Sequence, residues 1–349
     1  MLHVAHVLAA LVLLLAAPGG GQAARLATDS AGRRVEVPDR IERVFPAGPP
    51  AMVFLYVLAP ETLLGWTREF RGNEAAYVAA PYRDLPVLGR ITGRGGDANL
   101  EVVLASRPDL IFDFGSVAPT YVSLADRVQA QTGIPYVLID GTFENTVPAL
   151  RLMGEILGVE ERAEQIASYV ETTFAEIDAT LAEVPQEERP RVYLARGPGG
   201  LETGLQGSIN TEIIERVGAI NVPADPTGAR RGLVQVPIEQ VVVWNPDTVI
   251  TWDPNFYETV WKDFYWQSVD AVAAGRVYLS PTAPFGWIDR PPSLNRMIGL
   301  EWLAGLFYPD QMNQDLREVT RSFYELFYHV DLTDAELDRL LQWAKGRAP

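Results

Sequence analysis

Leu100-Glu-Val-Val-Leu-Ala-Ser-Arg-Pro-Asp-Leu-Ile-Phe112 can be laid on Ile238-Glu-Gln-Val-Val-Val-Trp-Asn-Pro-Asp-Thr-Val-Ile250. In both stretches an apolar residue and a Glu open a short helical run. Pro-Asp follows the Glu by seven residues, and an apolar strand comes next. Proline disfavours helical geometry in the residue before it, so each run stops there and turns into the strand. Between the two copies, Ile166, Tyr169, Val170, Phe174, Ile177 and Leu181 recur at three- and four-residue steps with charges between them. That spacing predicts a single amphipathic helix from Val159 to Val184, roughly seven turns long. One copy on each side of such a helix reads as a duplication.

Working outward, short apolar runs alternate with helical ones, the pattern of parallel α/β layers. Strands are predicted at Arg43–Phe45, Thr62–Trp66, Leu110–Phe114 and Pro135–Asp140, then at Arg191–Ala195, Thr248–Thr251 and Arg276–Leu279. Helices are predicted over Ala51–Leu58, Leu100–Ser106, Tyr121–Gln131, Asn210–Val217 and Ile238–Trp244, and over most of the chain after Pro292. The fold class is α/β: two similar parallel α/β lobes joined by one long rigid helix, with a cleft between them. The expected divisions are an N-terminal lobe over 25–158, the linking helix over 159–185 and a C-terminal lobe with terminal helices over 186–349.

Residues 1–24 hold an apolar run from Val7 to Ala17, too short to span a bilayer, then small residues suited to cleavage. They read as a secretory signal. No Cys follows the run to carry a lipid, so a soluble periplasmic protein is expected.

The 349 residues carry 45 Asp+Glu against 29 Lys+Arg, three His and no Cys. That excludes thiol nucleophiles, disulfides and Cys zinc sites. His3 and His6 fall in the signal, which leaves His329, so a multi-histidine metal site cannot be built. The net charge of -16 argues against a nucleic-acid partner. No bound cofactor is expected, and a carried metal would have to arrive already coordinated.

The quoted pieces, in this order and spacing, resemble the periplasmic solute-binding proteins of ABC importers for ferric siderophores, haem and vitamin B12. The resemblance rests also on Asp29-Ser-Ala-Gly-Arg-Arg-Val-Glu-Val-Pro38, Asn99-Leu-Glu101, Ser208–Asn221 and Gly275-Arg-Val-Tyr278. It implies ligand capture between the lobes, a small closing motion and delivery to an inner-membrane permease by a monomer. It also implies one docking glutamate per lobe: Glu101 by its Asn-Leu-Glu context, Glu215 by its Glu-x-x-Gly-x-x-Asn pattern.

In parallel α/β lobes ligands sit beyond the carboxyl ends of strands. The residues expected there are Arg68, Arg94, Phe114, Arg196, Arg230, Arg231, Trp252, Trp287 and Arg290. Arginine's planar fork suits carboxylates and oxyanions, and the helix opening after Pro50 adds partial positive charge. Aromatics crowd between Trp252 and Trp287, good walls for a large conjugated ligand. Ser293 is expected to cap a helix that, with Arg290, could hold an anion. A metal chelate, ferric siderophore or corrinoid, is therefore expected ahead of an oxyanion such as molybdate or tungstate. An exported hydrolase with a carboxylate pair is the enzymatic alternative, but no motif fixes two carboxylates across one bond.

Overall fold

The computed structural model describes residues 24–93, 100–225, 227, 232–312, 314–344 and 346. The signal read in residues 1–24 lies outside the described residues except for Ala24, which opens the first strand. Among the described residues, no helix is long and apolar enough to cross a membrane.

Strands β1 (Ala24–Thr28) and β2 (Arg34–Pro38) form an antiparallel hairpin. Then come β3 (Val44–Pro46), α1 (Pro49–Leu58), α2 (Leu100–Ser106), β4 (Leu110–Gly115), α3 (Pro119–Thr132), β5 (Tyr136–Asp140) and α4 (Thr146–Leu157). β3, β4 and β5 make one parallel sheet in that order. The connecting helix α5 (Glu160–Glu183) has 24 residues. At 1.5 Å per residue it is about 36 Å long.

The second half repeats the scheme with β6 (Arg191–Ala195), β7 (Glu202–Gly204), α6 (Glu212–Arg216), β8 (Ile220–Asn221), β9 (Leu233–Gln235), α7 (Ile238–Trp244), β10 (Thr248–Thr251), α8 (Pro254–Thr259), α9 (Asp270–Ala273) and β11 (Val277–Leu279). The parallel sheet has the order β11-β10-β6-β8, and β7 and β9 form a small antiparallel ribbon. Three helices finish the chain: α10 (Arg296–Phe307), α11 (Leu316–Tyr328) and α12 (Asp334–Leu341).

The repeated Pro-Asp performs the same task in both halves. Asp109 Oδ2 accepts from the Arg43 backbone N–H, and Asp247 Oδ2 from that of Arg191, both at 2.9 Å. Each arginine in turn donates to carbonyls at the end of the neighbouring repeat helix: Arg43 to Ser106 and Arg107, Arg191 to Trp244 and Asn245. The residues before the two prolines, Arg107 and Asn245, both take left-handed backbone, with φ 48 and 41. The duplication read from sequence is thus a duplication of local hydrogen bonding.

Two features differ from the sequence reading. Thr62–Trp66 is not a strand: Pro60–Thr62 forms a 3-10 turn, and single bridges tie Leu63 to Val44 and Trp66 to Val87. There the chain leaves the sheet edge to bury Trp66, whose Nε1 donates to the Tyr82 carbonyl at 2.9 Å. The terminal helices also reach beyond the second sheet. α11 lies on α1, with Tyr56 Oη donating to the Tyr328 carbonyl at 2.5 Å. His329, in left-handed backbone after α11, sets its Nε2 3.1 Å from the Tyr56 carbonyl. One continuous apolar core therefore runs from Val35 through α1, α5 and α10 to Ala344.

Candidate functional site

A cleft of about 670 Å³ opens beyond the carboxyl ends of both sheets. From the first half it takes the start of α1, the irregular stretch around Arg68, Arg71 and Arg90, and the end of β4. From the second it takes Arg196 after β6, Asn210 before α6, Leu233 of β9, and Phe285 and Asp289–Pro292.

Five arginines line it, Arg68, Arg71, Arg90, Arg196 and Arg290, with Asp113 and Asp289 the lining acids. Their partners differ. Arg68 is held by Glu74 through two bonds, 2.6 and 3.1 Å. Arg196 Nη1 lies 3.3 Å from Asp289 Oδ2 and 3.5 Å from Glu202 Oε1. Arg290 forms no ion pair among the described residues; its guanidinium stands over the Trp252 ring, 4.4 Å from the centroid. Burial holds the Arg290 guanidinium below its ordinary pKa, and the neighbouring charges of Arg68 and Arg71 add to that. An arginine stays charged under such pressure, so this guanidinium stands charged over the ring without a carboxylate partner among the described residues.

The acids are deeply placed. Asp113, on β4, accepts from Tyr136 Oη at 2.9 Å and Thr92 Oγ1 at 3.1 Å. Burial raises its pKa, and those two hydroxyls only partly oppose it. Thr92 is fixed in turn by its backbone bond to the Ala47 carbonyl, 2.8 Å. It sits so near Gly48 that a Cβ there would meet Thr92 Oγ1 at 2.4 Å. Glycine at the N-cap of α1 thus lets this wall close. Pro49 and Pro50 fill the first helical positions. They have no N–H, so the helix offers the cleft its dipole more than direct donors.

Of the residues expected at the site, the structure brings Arg68, Phe114, Arg196 and Arg290 to the cleft. Arg94, Arg230 and Arg231 lie outside the described residues. Trp252 stands behind the wall rather than in it, a shelf for Arg196 at 5.6 Å and Arg290 at 4.4 Å. Trp287 is corrected: it is fully buried, donates from Nε1 to Tyr324 Oη at 3.3 Å, and packs on Trp302. Its strand is followed by a turn back under α10, which carries the ring into the core. Ser293 does not cap a helix, since α10 begins at Arg296; its Oγ donates to the Pro50 carbonyl at 2.8 Å.

Sequence reasoning missed Arg296, which clasps the two halves. It is 1% exposed and donates to the Gly141 carbonyl (2.8 Å), the Ile209 carbonyl (3.1 Å) and Glu212 Oε2 (3.0 Å). Its guanidinium lies 4.0 Å from the Phe143 ring centroid. Away from the cleft, Glu101 on α2 and Glu215 on α6 are exposed; Glu215 Oε1 accepts from the Gly207 N–H at 2.9 Å.

Comparison with known proteins gives a consistent result. A family model described as periplasmic binding protein matches residues 74–284. The molybdate-binding protein MolA of Haemophilus influenzae is 23% identical over 336 residues, 88% of this chain and 91% of its own length. A vitamin B12-binding protein of Salmonella typhi is 31% identical over 154 residues, 44% of this chain and 54% of its own. The solved structure of an ABC transporter solute-binding protein from Sulfurospirillum deleyianum superposes with a TM-score of 0.83 at 29% identity. It covers 91% of this chain and 99% of that one.

Proposed function

The chain belongs to the periplasmic binding protein family, and we propose that its cargo is a compact oxyanion of the molybdate or tungstate type. As a solute-binding protein it carries a small molecule to an ABC permease and catalyses no reaction, which sets the hydrolase reading aside. The observation that supports the anion is Arg290, a half-buried guanidinium in the cleft with no ion pair among the described residues, beside four further arginines. An oxyanion would supply the acceptor that Arg290 lacks among the described residues. MolA, whose name states molybdate binding, matches over most of both chains.

The oxyanion is placed ahead of the metal chelate because neither of the two tryptophans that favoured a chelate lines the cleft, whose lining aromatics are Phe114, Tyr121 and Phe285. Trp287 belongs to the core, and Trp252 supports the arginines from behind. An anionic ferric chelate is kept as the second reading for one reason: about 670 Å³ lies in the range of pockets that take ligands larger than an oxyanion. Glu101 and Glu215 would dock the loaded protein on the permease.

Tryptophan fluorescence titration tests the order, since Trp252 touches both arginines. Saturable response to molybdate and tungstate is expected. Response only to ferric chelates would establish the second reading, and silence towards every anion would overturn both.

A further inference from the structure

Asp289 is a weakly satisfied acid in the cleft. Its side chain is completely buried, and among the described residues neither carboxyl oxygen accepts a well-formed hydrogen bond; the Asn210 and Trp252 side chains stand only near enough to donate weakly. Among the described residues its closest charge is Arg196 Nη1 at 3.3 Å, an arginine it shares with Glu202 of β7. Arg290 follows it in the chain, and Arg296 of α10 also acts on it. Asn210 and Trp252 are its neutral polar neighbours. Across the cleft, Arg68, Arg71 and Glu74 act on Arg290 rather than on Asp289.

Asp289 lines the cleft beside Arg196 and Arg290, so an oxyanion held by those arginines would stand close to its carboxyl. Two acceptors then face each other: an ionised carboxylate and an anionic oxygen repel, and neither supplies a hydrogen. A single proton removes the like charge and makes a bond. We propose that Asp289 makes anion capture proton-linked, with one proton held between its carboxyl and an oxygen of the bound anion. The inference rests on the anion reading of the cleft. With molybdate or sulfate, fully deprotonated at neutral pH, the proton is taken from solvent onto Asp289, which becomes a donor. Burial already pushes the carboxyl up, and Arg196, then Asn210 and Trp252, pull it back only in part.

Isothermal titration of the protein with molybdate and with sulfate, between about pH 5 and pH 8 in buffers of different ionisation enthalpy, counts the protons. Above the carboxyl's own pKa, uptake of one proton is expected, with affinity falling about tenfold per pH unit. Asp289→Asn supplies a permanent N–H donor and should flatten that slope. Asp113→Asn, altering an acid already bonded to Thr92 and Tyr136, should keep it. Binding that is independent of pH overturns the proposal and leaves the anion reading standing. A slope that survives in Asp289→Asn, or vanishes instead in Asp113→Asn, also overturns it. Absence of anion binding at every pH overturns both together.

Discussion

Replacing Arg296 by Met tests whether the two halves are held by the clasp described above. The change keeps an unbranched apolar stem and removes a guanidinium that serves three acceptors at 2.8–3.1 Å. Breaking a buried ion pair from one side costs about 3–5 kcal/mol, because the other charge is left uncompensated. The Glu212 side chain is 23% exposed and still accepts from the Phe143 N–H at 2.9 Å, so water and that donor relieve part of the penalty. A loss near the lower end, about 3 kcal/mol, is expected. Chemical denaturation with an unchanged slope measures it. The double variant Arg296→Met with Glu212→Gln should recover part of the loss, since no orphan charge remains while the Phe143 N–H keeps its acceptor. A single-variant loss within about 0.5 kcal/mol, the size of an ordinary surface change, would refute the reasoning. So would a double variant no more stable than the single one.

Three further outcomes are expected. Arg290→Ala should weaken molybdate binding about 10- to 100-fold, the worth of a charged hydrogen bond; unchanged affinity in calorimetry removes it from the site. Gly48→Ala has an ordinary extended φ of -155, so its cost is steric: the new Cβ displaces Thr92 from Asp113. It should lose about 1–3 kcal/mol, and a thermal melt identical to the parent contradicts that. Glu101→Ala with Glu215→Ala should abolish uptake in cells while the purified protein binds as before; loss of binding in vitro would sink the docking assignment.

Where a sequence signal does a local job, it was legible. Pro-Asp could be matched between Pro108-Asp109 and Pro246-Asp247 because each Asp ties a strand start a short distance away. The 24 residues of α5 followed from a period that tertiary context does not alter. The side a ring faces was not legible in the same way. Trp252 comes directly after β10 and backs the cleft wall, whereas β11 ends at Leu279, eight residues before Trp287, and the intervening turn carries that ring into the core. Arg296 gave no signal at all. An arginine at a helix start reads as surface, and only folding brings the Gly141 and Ile209 carbonyls, 155 and 87 residues away, to meet it. The β7–β9 ribbon was missed because three-residue strands carry too little alternation to read.

The packing of α11 over α1 also sets an order of events during synthesis. Eight consecutive residues of α1, Ala51 to Leu58, are buried, so this helix has no face of its own for water. Its cover starts at Leu316, more than 250 residues later in the chain. The first lobe can seat α1 on its own β3 and β4, but the face that meets α11 stays uncovered until the last part of the chain is made. Such late, long-range closure slows folding and leaves sticky surface open meanwhile. A chain that completes its core this late stays loosely folded for longer than one whose lobes close independently.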